Sequence, residues 1–90
     1  MKKQKRQWAR MTDRRYKILK LIAKGFNNEQ IAKETGLSLS NTKMQKWRLY
    51  IHLNINTRDD AILMGLVRGY LDEKEIKVKN KKEIIKLYKE

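Results

Sequence analysis

Apolar residues recur at helical spacing four times along the chain and once more near its end. The first period is Tyr16, Ile18, Leu19, Ile22 and Ala23; Thr12 opens it as a cap and Gly25 closes it, which predicts a scaffold helix. Phe26 follows as a staple, and NNEQIA then offers Asn27 with Gln30 three residues later, a reciprocal capping pair that starts a short second helix with Ile31 and Ala32 as its core contacts. This helix must end before Gly36. Ser38 or Ser40 caps a third helix through Leu53, and a short helix, a Gly turn and a Ser-opened basic helix together make a helix-turn-helix arrangement.

The third segment, SLSNTKMQKWRLYIHL, carries Lys43, Lys46 and Arg48 and no acidic residue. With Thr42, Gln45, Leu49 and Leu53 as its inward stripe, the helical period turns positions 43, 44, 47, 48 and 51 outward. Lys43 then faces where guanine O6 and N7 would lie, and Met44 and Trp47 can touch thymine methyls or the sugar edge. Lys46 and Arg48 are better placed for phosphates. Thr57 and Asp60 cap a fourth helix through AILMGLVRGYL, apolar around most of its circumference, which predicts that a second copy packs on it. Near the end, Asn80 and Glu83 form another capping pair ahead of Ile84, Ile85, Leu87 and Tyr88; a helix that short must dock on the fourth helix, on a dimer partner or on another protein.

Size and charge sharpen this outline. Ninety residues make one small domain whose core is marginal alone, so tight packing or association is expected. The 23 Lys and Arg against 10 Asp and Glu give +13, with +5 on residues 1–10, +6 on 11–71 and +2 on 72–90. Such an excess predicts a polyanionic partner, double-stranded DNA before RNA, and an anionic membrane surface is the weaker alternative. Residues 1–10 read as a basic flexible arm whose Lys2, Lys3, Lys5 and Arg6 track phosphates. Residues 11–71 form the DNA-binding domain and 72–90 a charged extension with a short helix.

Other chemistries are missing from the pattern. With no cysteine there is neither a disulfide framework nor a thiolate metal site, and His52 is the only histidine. No nucleophile has a base to pair with and no glycine-rich phosphate loop is present, so neither an enzyme nor a cofactor is expected. No apolar run is longer than Ala61 to Val67 and no signal peptide opens the chain, so a cytoplasmic, nucleoid-associated protein is expected.

TDRRYKILKLIAKGFNNEQIAKETGLS followed by LSNTKMQKWRLYIHLNINTRDDAILMGLVRGYL resembles, without a gap, the C-terminal DNA-binding domain of the LuxR/GerE family of bacterial transcription regulators. The resemblance implies an all-α, four-helix domain whose third helix enters the major groove and whose fourth forms a symmetric dimer on promoter DNA. The basic arm and the additional C-terminal helix would flank it. Position by position, it places Lys43, Met44 and Trp47 toward bases, and Thr12, Asn28, Ser38, Ser40 and Lys46 near the backbone. The dimer seam is assigned to Ala61, Met64, Gly65 and Arg68. The chain departs from the family's pattern at Arg15, usually acidic, at Asn41 and Thr42, usually Thr and Val, at Gln45, usually His, and at His52, usually Lys. Residues 1–10 are too few for the receiver or ligand-binding domain that such regulators often carry, so the chain resembles the family's stand-alone members. An alternative with the same fold is a module that binds RNA polymerase or another regulator through Met44, Trp47 and Ile51.

Overall fold

Short polar side chains start the helices by accepting orphan backbone N–H groups. In the computed structural model, which describes residues 11–90, Thr12 accepts from Arg15 N at 3.2 Å and opens α1 (Asp13–Ala23). Asn27 and Gln30 bond each other's backbone N–H at 2.8 Å and open α2 (Asn28–Thr35). Ser38, not Ser40, accepts from Asn41 N at 3.1 Å and opens α3 (Leu39–Leu53). Thr57 does the same for Asp60 N at 3.2 Å in α4 (Arg58–Val67). The break between α2 and α3 is Gly36 at φ 75°, a left-handed conformation in which a side chain would be strained. Asn54 ends α3 the same way at φ 58°, as the one non-glycine at positive φ among the described residues.

Burial follows the sequence periods. Ile18, Leu19 and Ile22 of α1 form the centre of the core, and α2, α3 and α4 all pack against α1. Ile31 comes from α2, Thr42, Leu49 and Leu53 from α3, and Ala61, Ile62 and Leu66 from α4. Thr42 satisfies its buried hydroxyl on Ser38 O at 2.9 Å, so a polar residue fits the inward stripe. The described residues contain helices and turns and no strand.

The C-terminal part differs from the sequence expectation in three ways. The fourth helix ends at Val67, not Leu71, because the chain turns at Gly69 and the N–H groups of Tyr70 and Leu71 bond back to Gly65 O at 2.7 and 3.0 Å. A single 3-10 turn follows at Glu73–Glu75, in which the Glu75 carboxylate accepts from Asp72 N at 2.8 Å. Asn80 precedes α5 (Lys81–Lys89) but its side chain does not cap it; its Nδ2 instead donates to Asp59 Oδ2 at 2.7 Å. Ile76, Val78 and Ile84 join the core, and Lys77 N donates to Ala23 O at 2.7 Å. The extension is therefore part of the folded unit, and α5 packs on α4. Asn80 holds its start beside the start of α4, and Lys89 pairs with Glu73 at 3.5 Å.

This packing covers much of the apolar surface of α4. Ala61 and Gly65, two of the four residues expected at a dimer seam, are buried in the chain's own interior. A Cβ on Gly65 would come within 2.6 Å of Leu71 Cδ1, so the glycine allows a close approach inside this domain. Met64 is half-buried, Arg68 is exposed, and Val67 is 59% exposed. A partner on α4 would meet these three.

Candidate nucleic-acid interface

The outward face of α3 is open along its length. Lys43, Met44, Trp47 and Arg48 are all exposed, with Trp47 at 63%, and Ile51 continues the same side. These are the positions that the inward stripe turns outward. No acidic residue lies on α3, so the face presents cations around apolar side chains with no internal counter-charge.

Beside this face, α2 adds one wall of a shallow groove. Asn28, Lys43, Lys46, Trp47 and Tyr50 line one end, and Asn27, Asn28, Glu29, Leu39 and Lys43 line the other. Lys46 donates to Asn28 Oδ1 at 2.9 Å and lies 5.9 Å from the centre of the Tyr50 ring, so two of the expected backbone contacts are joined. Partial burial, and secondarily the charge of Arg58, hold the Lys46 pKa below the usual lysine value. A phosphate in the groove would relieve that repulsion. Burial raises the Tyr50 hydroxyl, which keeps it a neutral donor near neutral pH.

The other expected contacts fall around the rim. Ser38 and Thr12 are exposed, each hydroxyl already accepting a cap hydrogen bond but still able to donate, and Ser40 is exposed on the first turn of α3. Lys2, Lys3, Lys5 and Arg6 lie outside the described residues. Arg14 and Lys17, which the sequence reading did not single out, line a separate depression with Thr12, Asp13 and Thr35. Leu39 was missed as well; its signal was its place one turn before Lys43, on the same side of the helix.

Two of the family departures, at 15 and 52, lie near enough for the charge of Arg15 to act on His52. Arg15 is 5% exposed, and burial first, then the nearby Arg48, lower its pKa. His52 is half-buried, and both ring nitrogens are enclosed with no hydrogen-bond partner. Burial, Arg68 and Arg15, in that order, push its pKa below the ordinary histidine value. Two basic side chains thus stand where the family pattern has an acid and a lysine, and the charged form of the histidine is disfavoured. The unfolded chain binds a proton at His52 before the folded one does, so this contribution to stability is complete above about pH 6.5 and is lost as pH falls below it. Thermal unfolding measured between about pH 7.5 and 5.5 should show the midpoint falling with pH, and His52→Leu should flatten that fall.

Among the described residues no group of His, Asp and Glu could hold a metal ion, and no helix is long and apolar enough to cross a membrane.

Most of the chain is similar to known proteins. The pattern of GerE, the bacterial regulatory proteins of the luxR family, matches residues 9–65. Transcriptional regulatory protein YdfI of Bacillus subtilis (strain 168) is 32% identical over 71 residues, which is 79% of this chain and 33% of YdfI. HTH-type transcriptional regulator MalT of Vibrio campbellii, like that of Vibrio parahaemolyticus, is 42% identical over 53 residues, 59% of this chain and 6% of MalT. The chain thus spans at most about a third of the length of these relatives. No solved structure matches it.

Proposed function

Because this chain belongs to the luxR family of bacterial regulatory proteins, we propose that it is a sequence-specific DNA-binding transcription regulator that reads the major groove with α3. One observation carries the reading: Lys43, Met44 and Trp47 stand together on an exposed, acid-free face while Thr42, Leu49 and Leu53 anchor the same helix inside. Lys43 supplies a donor for guanine, Met44 and Trp47 supply apolar contact, and Lys46, Arg48, Asn28 and the serines at the rim hold phosphates. The names of YdfI and MalT, both transcriptional regulators, support the same reading. The partner is double-stranded DNA, bound as a homodimer through the exposed part of α4 at Met64, Val67 and Arg68. Such a regulator would act in the cytoplasm, on the nucleoid.

A second reading has its own observation. Leu39, Met44, Trp47 and Ile51 are large apolar side chains exposed on one helix, a surface that could anchor RNA polymerase or another regulator. Mobility-shift titration against pooled random duplexes at two salt concentrations separates the two. The DNA reading expects an enriched sequence with two half-sites about one helical turn, roughly 10 bp, apart. No enrichment at either salt concentration would favour the protein-binding module.

A further inference from the structure

The end of the groove that Lys43 and Trp47 border is built from three half-buried polar side chains, Asn28 of α2 with Lys46 and Tyr50 of α3. Lys46 Nζ donates to Asn28 Oδ1 at 2.9 Å, and the same nitrogen lies 5.9 Å from the centre of the Tyr50 ring. These two distances hold the three side chains together. With Oδ1 engaged, the free polar atom of Asn28 is Nδ2, a donor; Lys46 keeps two N–H groups, and the Tyr50 hydroxyl adds one more donor. None of these remaining donors has a hydrogen-bond partner among the described residues. The described residues that line this end include no carboxylate, and Glu29 lines the other end.

The Tyr50 ring packs against the core, which limits where its hydroxyl can lie. Burial raises the pKa of that hydroxyl, and the charges of Arg58 and Asp59 act on it in opposite directions, so it keeps its proton at neutral pH. A cluster of donors, one of them cationic and none with an acceptor to satisfy it, fits an anion. Lys43 and Trp47 lie one turn from Lys46 and Tyr50 on the same helix and line the same groove. When Lys43 and Trp47 face bases, the anion within reach of this cluster is a backbone phosphate.

We infer that the Tyr50 hydroxyl donates to a DNA phosphate that Lys46 and Asn28 hold in this groove, so that one phosphate beside the bases read by α3 is fixed by donors from two helices. The inference deepens the DNA-binding reading above and rests on it. Tyr50 is neutral, so its contact displaces no counterion: it adds affinity that salt does not screen, whereas the Lys46 contact carries the salt dependence.

The test uses the full chain and the duplex that wild type enriches from a random pool. Tyr50→Phe keeps the ring, its packing and its place beside Lys46, and removes the hydroxyl alone. It should weaken binding about tenfold, the cost of a hydrogen bond to a charged group, and leave the log–log salt slope unchanged. Lys46→Gln should flatten that slope by about 0.9. Tyr88→Phe, which removes an exposed hydroxyl from α5, should bind as wild type does. Ethylation of the duplex phosphates one at a time should reveal one phosphate whose modification weakens wild type strongly and both groove variants less. Measuring well below the lowest thermal midpoint of the set keeps every variant folded. Binding by Tyr50→Phe within about twofold of wild type, or relief at different phosphates in Tyr50→Phe and Lys46→Gln, would overturn the inference. A wild type that binds no duplex would instead remove the DNA reading, and this contact with it.

Discussion

Leu49→Ala is expected to destabilise the domain by about 2–5 kcal/mol, the usual cost of a buried leucine lost together with the cavity it leaves. Leu49 is fully buried in the inward stripe of α3, which packs against α1, α2 and α4. For a domain of this size that is a large part of the total stability, and each kcal/mol shifts the thermal midpoint by about 4–8 °C. The midpoint should therefore fall by about 8 °C or more, as read by circular dichroism. Two positions earlier on the same helix, Trp47 is 63% exposed and contributes little to the core, so Trp47→Ala should change stability by no more than about 1 kcal/mol. A loss from Trp47→Ala as large as that from Leu49→Ala would mean that α3 is rotated and its outward face misassigned.

That rotation was legible in the sequence because it depends only on local spacing. Once Thr42, Leu49 and Leu53 are inward, the 3.6-residue period leaves 43, 44, 47 and 48 outward whatever the rest of the fold does. The caps at Thr12, Asn27, Ser38 and Thr57 were legible for the same reason, since each bond spans three residues. Asn80 shows where this fails. Its spacing to Glu83 fits a capping pair, but its amide is used on Asp59, 21 residues away, and no local pattern reports that partner.

Burial of the extension was hidden for a similar reason. Ile76 and Val78 sit among charged residues in a segment without helical period, and only the tertiary contact with the end of α1 makes them core. That same docking explains why the fourth helix, apolar all round in sequence, keeps few exposed apolar side chains in the structure. Residues 15 and 52 were conspicuous as departures from a pattern. That burial and two arginines push the histidine pKa down follows only from the structure.

Lys43→Ala carries the second large expected effect, and it falls on specificity instead of folding. Lys43 is exposed, lies on the groove side of α3, and makes no ion pair among the described residues, so its removal leaves the fold intact. A lysine donating to guanine O6 and N7 contributes about 1–3 kcal/mol of discrimination, roughly five- to 150-fold in affinity. A lysine attracted only to phosphate contributes to every sequence alike. Met44 and Trp47 flank it with apolar surface that fits the edges of bases as well as it would fit a protein partner. The lysine therefore decides between the two readings where its neighbours do not.

The most direct measurement is the ratio of affinities for the enriched duplex and a scrambled duplex of equal length, taken for wild type and Lys43→Ala at one salt concentration. A fall in that ratio of about fivefold or more, with binding to the scrambled duplex reduced less than that, is the result expected of a base-reading helix. An equal loss on both duplexes, or a ratio near one for wild type itself, would contradict the assignment of α3 as the helix that reads DNA.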